Sequence, residues 1–164
     1  MRFAAALVSL AGLFAAGPLF SEEASKGAPA VHIVYMGGND CPPCKAWRMT
    51  ELPKLEKSAE FKAVKFSYVE KLIGSTVPPG LFMPSEVKPY KDALDTASDG
   101  MVGSPQVAIM VNGKVYDYFN ATRSAESYEK MLVAIRTGGA YPFKRCVKFS
   151  SKSHKCAVFG DKPA

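Results

Sequence analysis

Between residues 31 and 36 the chain reads Val-His-Ile-Val-Tyr-Met, apolar at nearly every position, and Gly37-Gly38 stops the run. So short a run, rich in β-branched side chains, predicts a buried strand rather than a helix. Residues 45–51 are good helix formers, entered through Cys41-Pro42-Pro43-Cys44. Prolines are tolerated in a first helical turn because those N–H groups have no intrahelical partner. Pro53 predicts an end or kink, with a second helical piece over 54–58. Residues 63–69 alternate partly with period two and predict a second strand. Four prolines and two glycines between 74 and 89 predict a long irregular excursion, followed by a short helix over 90–97.

Residues 106–111 and 114–119 flank Asn112-Gly113, the dipeptide that supplies the two positive φ values of a type I′ turn, and so predict a hairpin. Ser124 is a helix N-cap candidate. Behind it Tyr128, Met131, Leu132 and Ile135 fall at i, i+3, i+4 and i+7, the core face of a helix that Gly138-Gly139 terminates. No internal repeat is present. A strand, a helix and a second strand imply a parallel pair, and the later hairpin adds antiparallel strands. The fold class expected is α/β, a mixed sheet flanked by helices.

Length and composition narrow the class without changing this picture. At 164 residues the chain has room for one domain with appendages. Arg2 followed by the apolar residues 3–16 and Gly17-Pro18 predicts a secretory signal peptide over 1–21, with its cleavage site open. An uncleaved anchor is the alternative, and only then is a membrane a partner. Residues 22–30 read as a linker. The working chain is therefore expected outside the cytosol, in a bacterial periplasm or anchored on its membrane's outer face, where disulfides persist. The net charge of +6 is uneven: six basic residues from Tyr141 onward face only Asp161. The expected extension over 140–164 is basic, and nucleic acid is not an expected partner.

The chemistry centres on Cys41 and Cys44. Thiol–disulfide exchange needs an exposed nucleophilic thiolate and a second thiol close enough to expel a bound substrate. A strand-to-helix junction supplies both, since the helix N-terminus acidifies the first thiol and one turn brings the second beside it. Alone, a C-x-x-C is ambiguous with a metal site. Some 60 residues later Gly103-Ser104-Pro105 immediately precedes the Asn-Gly hairpin. With Cys41-Pro42-Pro43-Cys44-Lys45, Ser104-Pro105 and this order of elements, the chain resembles the thioredoxin superfamily from about Val31 to Gly139. The resemblance implies a thioredoxin-like domain over 31–139, with Cys41 attacking, Cys44 resolving, Pro105 cis, and the Ser104 backbone pairing with an extended substrate.

Three positions depart from that family's pattern. Asp40 replaces the aromatic residue that often precedes the first cysteine, and Tyr35 stands where a buried acid is usual. The segment 72–100 is an insertion, expected to add surface near the substrate side. Pro42 and Pro43 remove two N–H donors that would otherwise face a Cys41 thiolate, while Asp40 adds a like charge. Both disfavour the thiolate, so a modestly acidified Cys41 and a comparatively reducing pair are expected.

Cys146 and Cys156 flank a turn over 150–154 in what reads as a second hairpin. In an oxidising compartment they predict a structural disulfide stapling the extension. A second redox centre and a zinc site are the alternatives, and the nine-residue gap fits zinc poorly. His32 reads as a core histidine, His154 as solvated and Trp47 as packed on the sheet; Asn120-Ala121-Thr122 fits a glycosylation triplet. The reading is a thiol–disulfide oxidoreductase acting on protein thiols and disulfides with an unidentified redox partner, needing no cofactor and no metal. A non-catalytic thioredoxin-fold binding module and a copper or other metal chaperone using the two cysteines are the alternatives.

Overall fold

The computed structural model describes residues 27–160; the expected signal segment, most of the linker and residues 161–164 lie outside the described residues. Strand β1 (Val31–Gly37) is buried at every position, as its unbroken apolar run requires. Helix α1 (Pro42–Thr50) follows, with Cys41 at its N-cap and both prolines in its first turn. Pro53 then falls in the first turn of a new helix, α2 (Leu52–Leu55), where its missing N–H leaves no bond broken. The helical piece expected over 54–58 thus starts and stops earlier. A further turn, α3 (Ala59–Lys62), is capped by the Ser58 hydroxyl, which accepts from the Phe61 N–H at 3.2 Å. Strand β2 (Lys65–Glu70) pairs parallel to β1.

After the excursion come α4 (Lys91–Ser98), β3 (Gln106–Val111), β4 (Lys114–Phe119) and α5 (Ala125–Thr137). Asn112 and Gly113 have φ of 49° and 79°, the pair of positive values the hairpin turn demands. Ser124 caps α5 by accepting from the Ser127 N–H, and Gly138 ends the helix with φ 66°. The sheet order is β2-β1-β3-β4, with β3 antiparallel to both neighbours. The result is an α/β fold with a thioredoxin-like topology.

Two cores lie on the two faces of this sheet. On one, Ile33, Tyr35, Val107 and Ile109 meet Trp47, Leu55, Phe61, Tyr128 and Leu132 from the helices α1, α2, α3 and α5. On the other, Val34, Met36, Ala108 and Met110 meet Val77, Met83, Val87, Leu94 and Met101. Part of the segment 72–100 covers this second face, while Leu72, Ile73, Leu81 and Phe82 remain exposed. Val77, Met83, Val87 and Leu94 are all buried, and leaving that apolar sheet face wet would forfeit roughly 25 cal/mol per Å² of its area. The C-terminal residues form a separate two-stranded sheet, β5 (Cys146–Ser150) and β6 (Lys155–Phe159), closed by the Cys146–Cys156 disulfide.

His32 is a core histidine, as expected. Its Nε2 lies 3.0 Å from the Ser67 hydroxyl, which donates to Glu86 Oε1 at 2.9 Å. Because the single Ser67 proton goes to Glu86, the imidazole N–H sits on Nε2. Burial, then the Lys65 charge, hold the His32 pKa below the ordinary 6.5, against an opposing pull from Glu86. With the folded value depressed, the unfolded chain binds the proton first. The neutral-ring contribution is present above 6.5 and lost as pH falls through the folded value. Urea midpoints measured from pH 7 downward are expected to fall more steeply for the wild type than for His32→Phe; parallel profiles would contradict this assignment.

Candidate functional site

Met36 and Gln106 are direct partners in the antiparallel pairing of β1 and β3. The loop after β1 and the loop before β3 therefore leave the sheet from the same end. The first carries Asp40 and Cys41 into α1, and the second carries Gly103, Ser104 and Pro105. The Ser104–Pro105 peptide is cis. Cys41 and Cys44 are joined as a disulfide with Cα atoms 5.3 Å apart. The disulfide follows from a C-x-x-C at a helix start, and the cis peptide is what the resemblance implied.

The groups around Cys41 differ in one respect from expectation. The Cys44 N–H points at Cys41 Sγ at 3.2 Å. The next N–H, of Lys45, donates to the Cys41 carbonyl at 3.1 Å as the first regular helical bond and not to the sulfur. With Pro42 and Pro43 carrying no N–H, the sulfur is left one backbone donor. Asp40 is not a bare neighbouring charge either. Its Oδ2 accepts from the Ile73 N–H at 2.9 Å, and its field acts on the Lys71 ammonium.

Burial is the larger difference. Cys41 and Cys44 are both fully enclosed and belong to the same core as Tyr35 and Trp47, whereas exchange calls for an exposed attacking sulfur. Tyr35 stacks on Trp47 with ring centroids 4.4 Å apart. Its hydroxyl is buried without a partner among the described residues, and burial pushes its pKa up. An aromatic ring thus fills this space, and burial keeps its phenol neutral. The Ser104 hydroxyl is likewise enclosed without a partner.

Two glycines make the close packing possible. A methyl group on Gly37 would lie 2.9 Å from Cys44 Sγ and 3.0 Å from the Tyr35 ring. One on Gly38 would run into the Lys71 carbonyl and the Asp40 carboxylate. Gly37→Ala is expected to cost about 1–3 kcal/mol through overpacking against the sulfur. An unchanged denaturation midpoint would show that the site yields more readily than its packing implies.

Sequence reasoning missed Lys71 and Gln106. Lys71 is 5% exposed; its ammonium donates to the carbonyls of Ser75 at 2.6 Å and Gly103 at 2.7 Å. Burial lowers its pKa to about 8, opposed by Asp40. Gln106 donates to the carbonyls of Met101 and Gly103, both at 2.9 Å, and accepts from the Tyr118 hydroxyl at 2.5 Å. Together they hold the loop ahead of Pro105. The only hint in sequence was a lone lysine between Val69-Glu70 and Leu72-Ile73. His32, at the other end of β1, takes no part.

Away from this site, Asp117 on β4 gathers the extension. Only 1% exposed, its carboxylate accepts from the Cys146 N–H at 2.8 Å, the Tyr141 hydroxyl at 3.0 Å and Arg123 at 3.3 Å. The Arg123 guanidinium lies between the rings of Phe119 and Phe143, 3.6 and 3.9 Å from their centroids. Among the described residues no group of three or more His, Cys, Asp and Glu side chains is gathered as a metal site would gather them. Compared with protein-family models and with curated proteins, the chain finds a match in neither.

Proposed function

We propose that the chain is a member of the thioredoxin superfamily, a thiol–disulfide oxidoreductase that works outside the cytosol on protein thiols and disulfides. The observation that carries this reading is the Cys41–Cys44 disulfide at the N-cap of α1, at the sheet end from which the Ser104–cis-Pro105 loop also leaves. In the reduced pair the Cys41 thiolate attacks one sulfur of a substrate disulfide, and a substrate thiolate leaves as the mixed disulfide forms. The Cys44 thiolate then attacks Cys41 Sγ, releasing the second substrate thiol and restoring the Cys41–Cys44 bond. Two electrons pass to the substrate. Run in reverse, the same steps oxidise a substrate dithiol, and the relative potentials of pair and partner set the direction.

With one N–H on its sulfur and Asp40 beside it, Cys41 is acidified by the helix N-terminus but only modestly. A thiolate titration giving a pKa of about 4, as in strongly oxidising thiol oxidases, contradicts this. Export rests on the apolar N-terminal run and on two disulfides in one chain. The decisive assay is reduction of insulin disulfides by the chain reduced beforehand, comparing the wild type with Cys41→Ser. Turnover by the wild type alone supports the reading, and equal rates sink it.

A second reading, a binding module whose C-x-x-C bridge is a structural staple, is favoured by the complete burial of both sulfurs. It differs in predicting a Cys41–Cys44 bond that yields only when the whole domain unfolds.

A further inference from the structure

Attack on a disulfide requires the incoming sulfur to approach along the S–S axis, and neither sulfur of this pair is open to solvent. Hydrogen bonds tie a third segment to the two loops that flank the pair. Directly after β2, the Ser75 N–H and hydroxyl both return to the Leu72 carbonyl, at 3.0 and 2.8 Å, making a tight turn. On one side the Ile73 N–H is bonded to Asp40, the residue preceding Cys41. On the other, Lys71 Nζ bridges the turn's Ser75 carbonyl to that of Gly103, two residues before the cis-proline. The turn's outer surface is apolar, with Leu72 69% and Ile73 41% exposed.

A buried ammonium spent on two main-chain carbonyls is an expensive way to hold a turn, since desolvating the charge offsets much of the gain. Its distinguishing property is that the bond is specific and exchangeable: another backbone carbonyl can replace that of Gly103 without loss. We propose that Lys71 is a specificity-determining residue of the exchange site, latching residues 71–75 across Cys41 so that the disulfide yields to a protein partner that displaces the turn and resists small thiols. This rests on the oxidoreductase reading of the pair. The partner's apolar side chains engage Leu72 and Ile73, and an extended stretch of its backbone supplies the replacement carbonyl.

The test uses the full oxidised chain and dithiothreitol. One dithiothreitol thiolate attacks the Cys41–Cys44 bond, its second thiol closes the reductant ring, and two electrons leave two cysteine thiols for alkylation and mass counting. Lys71→Met is expected to speed this reduction by about tenfold or more, the effect of losing two charge-assisted bonds. Lys71→Arg, which retains donors, stays near the wild-type rate, and the Cys146–Cys156 bridge reacts equally in all three proteins. Equal rates in wild type and Lys71→Met, or parallel acceleration of both disulfides, would overturn the latch. Should Lys71→Met fail to fold, Asp40→Ala is compared with Asp40→Asn, which drops the charge but keeps an oxygen for the Ile73 N–H; acceleration in Asp40→Ala beyond Asp40→Asn supports the latch, and equal rates in the two overturn it. Insulin turnover is scored separately: its absence in wild type and Lys71→Met alike counts against the oxidoreductase reading, whereas turnover without any dithiothreitol acceleration in Lys71→Met overturns the latch alone.

Discussion

A Cys44→Ala variant is expected to accumulate covalent adducts with protein substrates, whereas Cys41→Ser forms none and loses turnover by about a thousandfold or more. The asymmetry follows from the helix. Cys41 is the N-cap, facing the Cys44 N–H and the positive end of α1, so it is the sulfur that gains from becoming a thiolate. Cys44 lies inside the first turn, packed against Gly37, where it can reach Cys41 but lacks the N-cap position that favours a thiolate. Without it the mixed disulfide has no resolving thiol and persists. Non-reducing gels and mass spectrometry of tryptic peptides read the outcome. Adducts carried by Cys146 or Cys156, or residual turnover in Cys41→Ser, would move the chemistry elsewhere.

Asp117→Ala is expected to destabilise the chain by about 3–5 kcal/mol, the cost of breaking a buried ionic network by removing one side. The carboxylate receives donors from three segments: the Arg123 guanidinium after β4, the Tyr141 hydroxyl beyond α5, and the Cys146 N–H that opens β5. The buried Cys146 N–H would be left unpaired, and the half-buried Arg123 and Tyr141 would lose their carboxylate partner. Because two of them belong to the extension, the same variant loosens β5 and β6 from the sheet and makes the Cys146–Cys156 bridge more reducible. Burial holds the Asp117 carboxyl above its ordinary pKa despite these donors. The sign is therefore that its contribution is greatest below the unfolded carboxylate pKa and declines as pH rises through the folded one. Urea titrations of wild type, Asp117→Asn and Asp117→Ala measure both effects. A loss under about 1 kcal/mol for Asp117→Ala, the range of ordinary surface substitutions, would show that the extension is held by its aromatic packing instead.

What could be read from sequence was local. Asn112-Gly113 forced a hairpin, Ser124 and Gly138 bounded α5, and a C-x-x-C after an apolar strand became a disulfide at a helix start. In each case the determinant lies within a few residues of its effect. The cis bond at Pro105 came from the family resemblance. What escaped notice depends on contacts between distant segments. Lys71 reaches Gly103 across 32 positions and Cys146 reaches Asp117 across 29, and no periodicity marks such pairs. Helix α3 was missed because four residues are too few to display a helical period. The cover of the second sheet face was not legible because Pro78, Pro79, Pro84 and Pro89 disrupt any repeat that would have revealed Val77, Met83 and Val87 as core. The burial of Cys41 was hidden because it depends on a core gathered from distant segments, Tyr35 on β1 and Trp47 on α1 among them.

Equilibration of the native chain with glutathione buffers of graded poise, followed by acid quenching, alkylation and counting of free thiols by mass, addresses the exchange site most directly. The expected result is that Cys41 and Cys44 gain thiols together and reversibly while the fold stays intact and Cys146–Cys156 remains closed. A Cys41–Cys44 bond that stays shut at every poise until circular dichroism reports unfolding would make it a structural staple and contradict the oxidoreductase assignment.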